Sequence, residues 1–287
     1  MKLEFKHITK TFKKVKALDD INLVLEDKKI YGILGRNGAG KTTLMRCLAG
    51  WMLPDEGEIL LDGKKIYGND ELLSKIFFMS EAQTWPKDMN FIEVAKVCKD
   101  FYLDTFNYDI ALNYASKFNL DTKKKLSKLS TGYVSIYKTC IALAMDTDIV
   151  LYDEPVLGLD ANHRQLLYSL IVESYARKAK MILISTHLIE EVSSLFEEIV
   201  IIKDAKVLVY LPLEELVGAG WAVTGKEELV EKFIAGKKVL SSKSLGGLMT
   251  SCYLGKKGNQ EGLQFDVLDL QHLFVELTNS KEDVYEN

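Results

Sequence analysis

The octapeptide Gly35-Arg36-Asn37-Gly38-Ala39-Gly40-Lys41-Thr42 stands between the apolar run Ile30–Leu34 and a helical pattern over residues 41–49. No other stretch constrains the chain as strongly. A buried strand must deliver the backbone into a glycine-rich turn, and a helix must leave it. The glycines let successive N–H groups curl around an anion, and the helix adds its positive N-terminal end. At this spacing Lys41 reaches the β- and γ-phosphates of a nucleotide, and the Thr42 hydroxyl is placed to ligate Mg2+. An ordinary glycine turn before a helix is the other reading. It leaves the full eight-residue pattern unexplained.

Two further apolar runs repeat the theme. Residues 149–152 end in Asp153-Glu154-Pro155, and residues 181–185 lead to Thr186 and His187. Continuous apolar runs fit strands buried on both faces of a parallel sheet. With crossover helices expected over 41–49 and 163–177, the fold class is α/β around a mostly parallel sheet. Ligands of such sheets bind beyond the carboxyl ends of the strands. Asp153 there can hold the Mg2+ shell, and Glu154 can polarise an attacking water as general base. His187 can donate a hydrogen bond to a γ-phosphate oxygen or to the water. Taken singly, an acid pair or a histidine after a strand is more often structural, so the order of the three elements carries the reading.

Outside these runs the pattern changes. Residues 3–8, 21–25, 58–61 and 64–67 alternate, which predicts antiparallel strands with turns at Asp62-Gly63 and Gly68-Asn69. Residues 91–129 are polar and helical in character, an insertion between sheet strands. Residues 199–202 and 206–210 predict a hairpin. Beyond Pro212 lie a glycine-rich stretch at 244–248, a polar break at 255–260, and apolar clusters at 265–268 and 273–277 that predict a folded tail. The acidic end, 281–287, is expected to fray.

Composition narrows the function. The 37 Lys+Arg against 41 Asp+Glu give a net charge of -4, which argues against a dedicated nucleic-acid binder. Cys47, Cys98, Cys140 and Cys252 are too scattered for a zinc site or redox motif. The first residues hold no apolar core of signal-peptide length, and no apolar run reaches the ~18 residues that span a bilayer. The expectation is a cytoplasmic protein, with any membrane crossing left to another chain.

The order of elements over about residues 2–210 resembles an ATP-binding cassette (ABC) ATPase, in particular the nucleotide-binding subunit of a bacterial ABC exporter of the ABC-2 type. The resemblance implies a P-loop NTPase core, an antiparallel β subdomain, a helical subdomain at about 86–130, and an appendage of unknown role over 211–287. It implies ATP and Mg2+ as cofactors, with Thr42, Glu81 and Asp153 at the metal and Glu154 and His187 catalytic. Gly35, Arg36, Asn37, Gly38, Ala39, Gly40, Lys41, Thr42 and Thr43 would bind the nucleotide. Phe12 stands where the family stacks an aromatic on adenine; a strand-end core phenylalanine is the competing reading. Leu129-Ser130-Thr131-Gly132-Tyr133 stands where the family carries L-S-G-G-Q. Ser130 and Gly132 would meet the γ-phosphate held by the opposite subunit of a head-to-tail dimer, and Asp160 belongs to the loop that crosses the interface. Thr131 and Tyr133 depart from the family pattern, which leaves a homodimer and a heterodimer with a second ABC ATPase both open.

Glu81 replaces the family's usual glutamine after the strand expected at 76–79, and Gln83 is the alternative alignment. A glutamate here is similar to the "E-loop" of cassettes in lantibiotic self-immunity exporters, which favours a peptide or antimicrobial substrate. Trp85, Pro86, Met89 and Phe91 either line a groove for an integral-membrane permease or pack the helical subdomain. The implied protein is peripheral on the inner face of the cell membrane. A non-transport regulatory ABC ATPase acting on a soluble partner is the alternative.

Overall fold

A computed structural model describes residues 1–82 and 85–279; the alternative alignment through Gln83 and the acidic end 281–287 lie outside the described residues. In chain order the elements are β1 (Lys2–Phe12), β2 (Val15–Glu26), β3 (Ile30–Leu34), α1 (Lys41–Leu48), β4 (Glu56–Leu61), β5 (Lys64–Lys65), α2 (Asp70–Leu73) and β6 (Ile76–Met79). Then come α3 (Phe91–Tyr102), α4 (Tyr108–Lys117), α5 (Thr131–Leu143), β7 (Ile149–Asp153), α6 (Ala161–Arg177), β8 (Met181–Thr186), α7 (Ile189–Val192), β9 (Glu198–Lys203) and β10 (Lys206–Pro212). The chain closes with α8 (Leu213–Ala219), β11 (Gly220–Lys226), α9 (Glu227–Ile234), β12 (Lys238–Leu245), β13 (Leu248–Leu254), β14 (Leu263–Val267) and α10 (Leu270–Asn279).

The central sheet has the order β10-β9-β3-β8-β7-β6. All its pairings are parallel except the β9–β10 hairpin. Its register explains the site. Leu34 pairs with Thr186, Ser185 with Asp153, and Tyr152 with Met79. The carboxyl ends of β3, β8, β7 and β6 therefore stand nearly level, and whatever follows each strand meets the others in one crevice.

Both faces of this sheet are covered, which is why its strands read as unbroken apolar runs. Ile30 and Leu34 of β3 face a core built with α3 to α6. Tyr31 and Ile33 of the same strand face a second core, shared with α1 and with Leu3, Phe5, Ile21 and Leu23 of the antiparallel sheet. That sheet has the order β2-β1-β4-β5 and the expected turn at Asp62-Gly63. The strand expected over 64–67 is shorter than its alternation predicts. Strand pairing with β4 stops at Lys64–Lys65: the Ile66 N–H still donates to Ile59 O, but its side chain turns inward to full burial and Asn69 caps α2.

Helices α3 and α4 form the helical insertion. Asn90 and Glu93 close a capping box at the start of α3, so the sequence itself marks where the insertion begins. The predicted hairpin forms, with β10 extending to Pro212. The tail is folded: β12-β13-β11-β14 make a third, antiparallel sheet whose own small core is Val223, Val230 and Tyr253. Leu216 of α8 and Leu270, Leu273 and Leu277 of α10 leave that unit and enter the main core.

Candidate nucleotide site

The glycine-rich loop leaves β3 and enters α1 under tight backbone constraints. Gly38 and Gly40 have φ of 85° and 114°, values that disfavour any side chain. A Cβ at Gly40 would also collide with the Ala17 carbonyl of β2. The antiparallel sheet thus presses against the loop and holds its shape. Around the loop is a cavity of about 380 Å3, lined by Asn37, Gly38, Ala39, Gly40, Lys41, Thr42 and Thr43 together with Glu81, Glu154, His187, Ala17 and Leu157.

Lys41 is buried and donates to the carbonyls of Gly35 at 2.8 Å and Arg36 at 3.4 Å. Its Nζ is 3.9 Å from Glu154 Oε1. Burial pushes this ammonium below the ordinary lysine range, while the charges of Glu154, Asp153 and Glu81 oppose that shift. An ammonium has three donors, and with two given to carbonyls Lys41 keeps one for an anion in the cavity.

Asp153 ends β7 and is fully buried. Its Oδ1 accepts from Thr42 Oγ1 at 3.0 Å and from Ser185 Oγ at 2.6 Å. Its Oδ2 has no hydrogen-bond partner among the described residues. An orphaned buried carboxylate oxygen is costly unless something positive meets it. With a hydroxyl beside it, this donor set fits a hard, oxygen-seeking cation such as Mg2+.

Glu154 has φ of 49°, a conformation that non-glycine residues adopt at a cost. Its N–H is shared between the Ser185 carbonyl at 3.1 Å and Ser185 Oγ at 3.2 Å, which holds the residue in that state. The side chain points at His187, whose Nδ1 is 2.8 Å from Glu154 Oε2. The strained backbone turns the carboxylate back over the cavity beside Lys41.

Other predicted residues stand elsewhere. Gly35 backs onto β9, where a Cβ would lie 2.7 Å from the Ile202 carbonyl. Arg36 turns away from the cavity and hydrogen-bonds Asn279 of α10. Neither lines the cavity. Phe12 also lies outside its wall, but at 44% exposure its ring is free of the core, which removes the core reading. Ser130 caps α5 by accepting from the Tyr133 N–H. A Cβ on Gly132 would lie 2.5 Å from the Gly158 carbonyl, so the start of α5 is fitted against the loop before α6. Asp160 caps α6, and its bonds to the His163 N–H and ring hold its carboxyl below the ordinary range. Ser130, Gly132 and Asp160 thus lie about one junction, apart from this chain's own cavity.

Of the groove residues, Phe91 is core, as the bland reading had it. Trp85 lines a second cavity of about 160 Å3 with Trp51, Phe77, Phe78, Tyr102 and Lys138. Sequence reasoning missed Ser185, which anchors both acids, and Lys138, a buried lysine in the apolar run of α5. Ser185 had a signal in its place two residues before His187. Lys138 had one in being the sole charge of α5. No helix among the described residues is long and apolar enough to cross a membrane.

A crevice at the ends of parallel strands, floored by a glycine-rich loop and flanked by strand-end acids, defines an α/β P-loop protein. The ABC transporter family matches residues 18–157. The uncharacterized ABC transporter ATP-binding protein MJ1023 of Methanocaldococcus jannaschii is 30% identical over 75% of this chain and 79% of its own length. The galactose/methyl galactoside import ATP-binding protein MglA of Sodalis glossinidius is also 30% identical over 75% of this chain, which spans 44% of that protein. The dimeric post-hydrolysis structure of the cassette MJ0796 bound to ADP and Pi matches with a TM-score of 0.66 at 25% identity, over 74% of this chain and 98% of that one. The chain belongs to the ABC transporter ATP-binding family and is an ATPase subunit of such a transporter.

Proposed function

We propose that this ATPase drives export of a peptide substrate through a separate integral-membrane permease, working as a head-to-tail dimer on the inner face of the membrane. The observation that carries the catalytic part is the pairing of Glu154 with His187 beside the buried Lys41. Lys41 and the loop amides bind the phosphates of ATP. Thr42 and Asp153 would hold Mg2+, with Glu81 on the wall of the cavity that Thr42 also lines, and the ion would supply positive charge to the phosphate oxygens. Glu154 takes the proton of the attacking water, and His187 fixes the carboxylate's direction. With Nδ1 donating to Glu154, only the imidazolium form also donates from Nε2 toward phosphate.

Ser130, Gly132 and Asp160 face a second cassette, and their separation from the chain's own cavity supports a composite site in which each subunit completes the other's. The dimeric MJ0796 cassette supports the same reading. The small aromatic-lined cavity around Trp51, Phe78 and Trp85 supports a groove that takes a short permease helix. Export and a peptide substrate rest on Glu81, the residue similar to the E-loop of immunity exporters. MglA, by its name an import protein, makes direction the point to test.

The test is detergent extraction from the native cell, pull-down on this chain, and reconstitution of what co-purifies into liposomes with the cassettes facing the bath. Export predicts ATP-dependent accumulation of a labelled cationic peptide in the lumen. Release of preloaded peptide to the bath, or no multi-helix partner at all, would sink the exporter reading and leave the ATPase assignment intact.

A further inference from the structure

We propose that Lys138 is a positioning residue for the nucleotide site. By holding the backbone carbonyls of Ser80 and Glu81, its ammonium sets where the Glu81 carboxylate stands, and it ties that carboxylate to the aromatic-lined groove behind. The proposal rests on the reading of the larger cavity as the Mg2+–ATP site.

Lys138 lies in the middle of α5 and is 7% exposed. A buried ammonium persists only where its donors are used. Nζ donates to Ser80 O at 3.0 Å and to Glu81 O at 2.6 Å. These residues follow β6 without regular structure, so their carbonyls have no strand or helix to accept from. The lysine supplies the missing donors. Thr139, the next residue, bonds Met79 Sδ at 3.6 Å, which fixes α5 against the last residue of β6. The clamp is thus anchored on both sides.

What it holds reaches two cavities. Glu81 lines the nucleotide cavity with Lys41, Glu154 and His187. Ser80 and Lys138 line the groove with Trp51, Trp85 and Tyr102. One side chain therefore joins the wall of the groove to a carboxylate facing the nucleotide. A buried ion is seldom needed for folding, and an apolar side chain of similar volume often serves as well. The lysine's place is better explained by what it positions.

The test uses Lys138→Met, Lys138→Arg, Glu81→Gln and the Lys138→Met/Glu81→Gln pair in the full chain. ATP binding is measured by calorimetry in EDTA and across a Mg2+ titration, alongside Mg2+-dependent hydrolysis. Lys138→Met is expected to raise the half-saturating Mg2+ about tenfold, the scale of groups that orient a ligand from behind. ATP affinity in EDTA should stay within about twofold of wild type, since the loop that binds phosphate is untouched. The double variant should be no worse than the worse single one, and Lys138→Arg should restore most of the Mg2+ response. If Lys138→Met does not fold, Lys138→Leu, which likewise has no donor, takes its place with the same expected shift. An unchanged Mg2+ response, or additive effects in the double variant, would overturn the proposal. Wild type that fails to bind ATP even with Mg2+ would overturn the nucleotide reading beneath it.

Discussion

Glu154 and Lys41 lie 3.9 Å apart yet carry separable tasks. Glu154→Gln keeps the shape and loses the base. Hydrolysis should fall at least about a hundredfold, the range of a positioned general base, with ATP affinity nearly unchanged. Steady-state turnover with calorimetric binding checks this, and full residual turnover would remove Glu154 from its role. Lys41→Ala should act on binding itself, because a charge-assisted phosphate contact is lost; about a tenfold or greater rise in Kd for ATP is expected. These residues were legible because the chemistry sits at strand ends and in a spaced loop, where local sequence sets position. Lys138 and Ser185 were not, since what each contacts depends on which elements become neighbours. Arg36 shows a related limit: a motif position says where the backbone goes, not that the side chain turns toward Asn279 of the tail.

Helix packing carries the next prediction. Gly132 has ordinary backbone angles, so its small size matters for one contact, the Gly158 carbonyl against the start of α5. Gly132→Ala must open that junction, at about 1–3 kcal/mol of overpacking. ATP binding to the chain's own cavity should survive while hydrolysis drops; equal losses in both would place Gly132 in general stability instead. Lys180 offers a pH test at the start of β8. It is buried, bonded to Met145 O at 2.5 Å and Ser174 Oγ at 3.3 Å, and burial lowers its pKa to about 8. A lysine with a folded pKa below its unfolded value destabilises the fold when protonated. That cost is fully present below pH about 8 and recedes as pH rises toward the unfolded value near 10.5. Relative to Lys180→Met, wild type should therefore gain about 2 kcal/mol between pH about 8 and about 9.5. Urea unfolding at the two pH values reads the difference, and a constant offset would refute it. The strands themselves were the easiest elements to foresee, since burial on both faces writes itself as an unbroken apolar run. The short β5 was overread because alternation alone does not reveal that Ile66 has a core to turn into.

At the scale of the whole molecule the question is whether the C-terminal sheet is a separate body. Its own core is small, and by itself would be marginal. Leu273 and Leu277 of α10 are fully buried in the main core instead. Gly220, where β11 begins, is packed so closely on Leu273 that a Cβ would lie 2.5 Å from its Cδ2. Arg36 of the phosphate loop bonds the last described residue of α10. Sequence could show that the tail folds, from its apolar clusters, but not that its last helix returns to the first domain, because that contact spans most of the chain. We propose on these contacts that the cassette and the appendage unfold together. Trp221 lies in the C-terminal sheet, and Trp51 and Trp85 flank the groove of the cassette. Single-tryptophan variants should give the same denaturation midpoint from either region, and Leu273→Ala should lower both by the same amount, about 2–5 kcal/mol in stability. A midpoint for Trp221 well below that of Trp51, or a Leu273→Ala effect confined to Trp221, would make the appendage an independent unit.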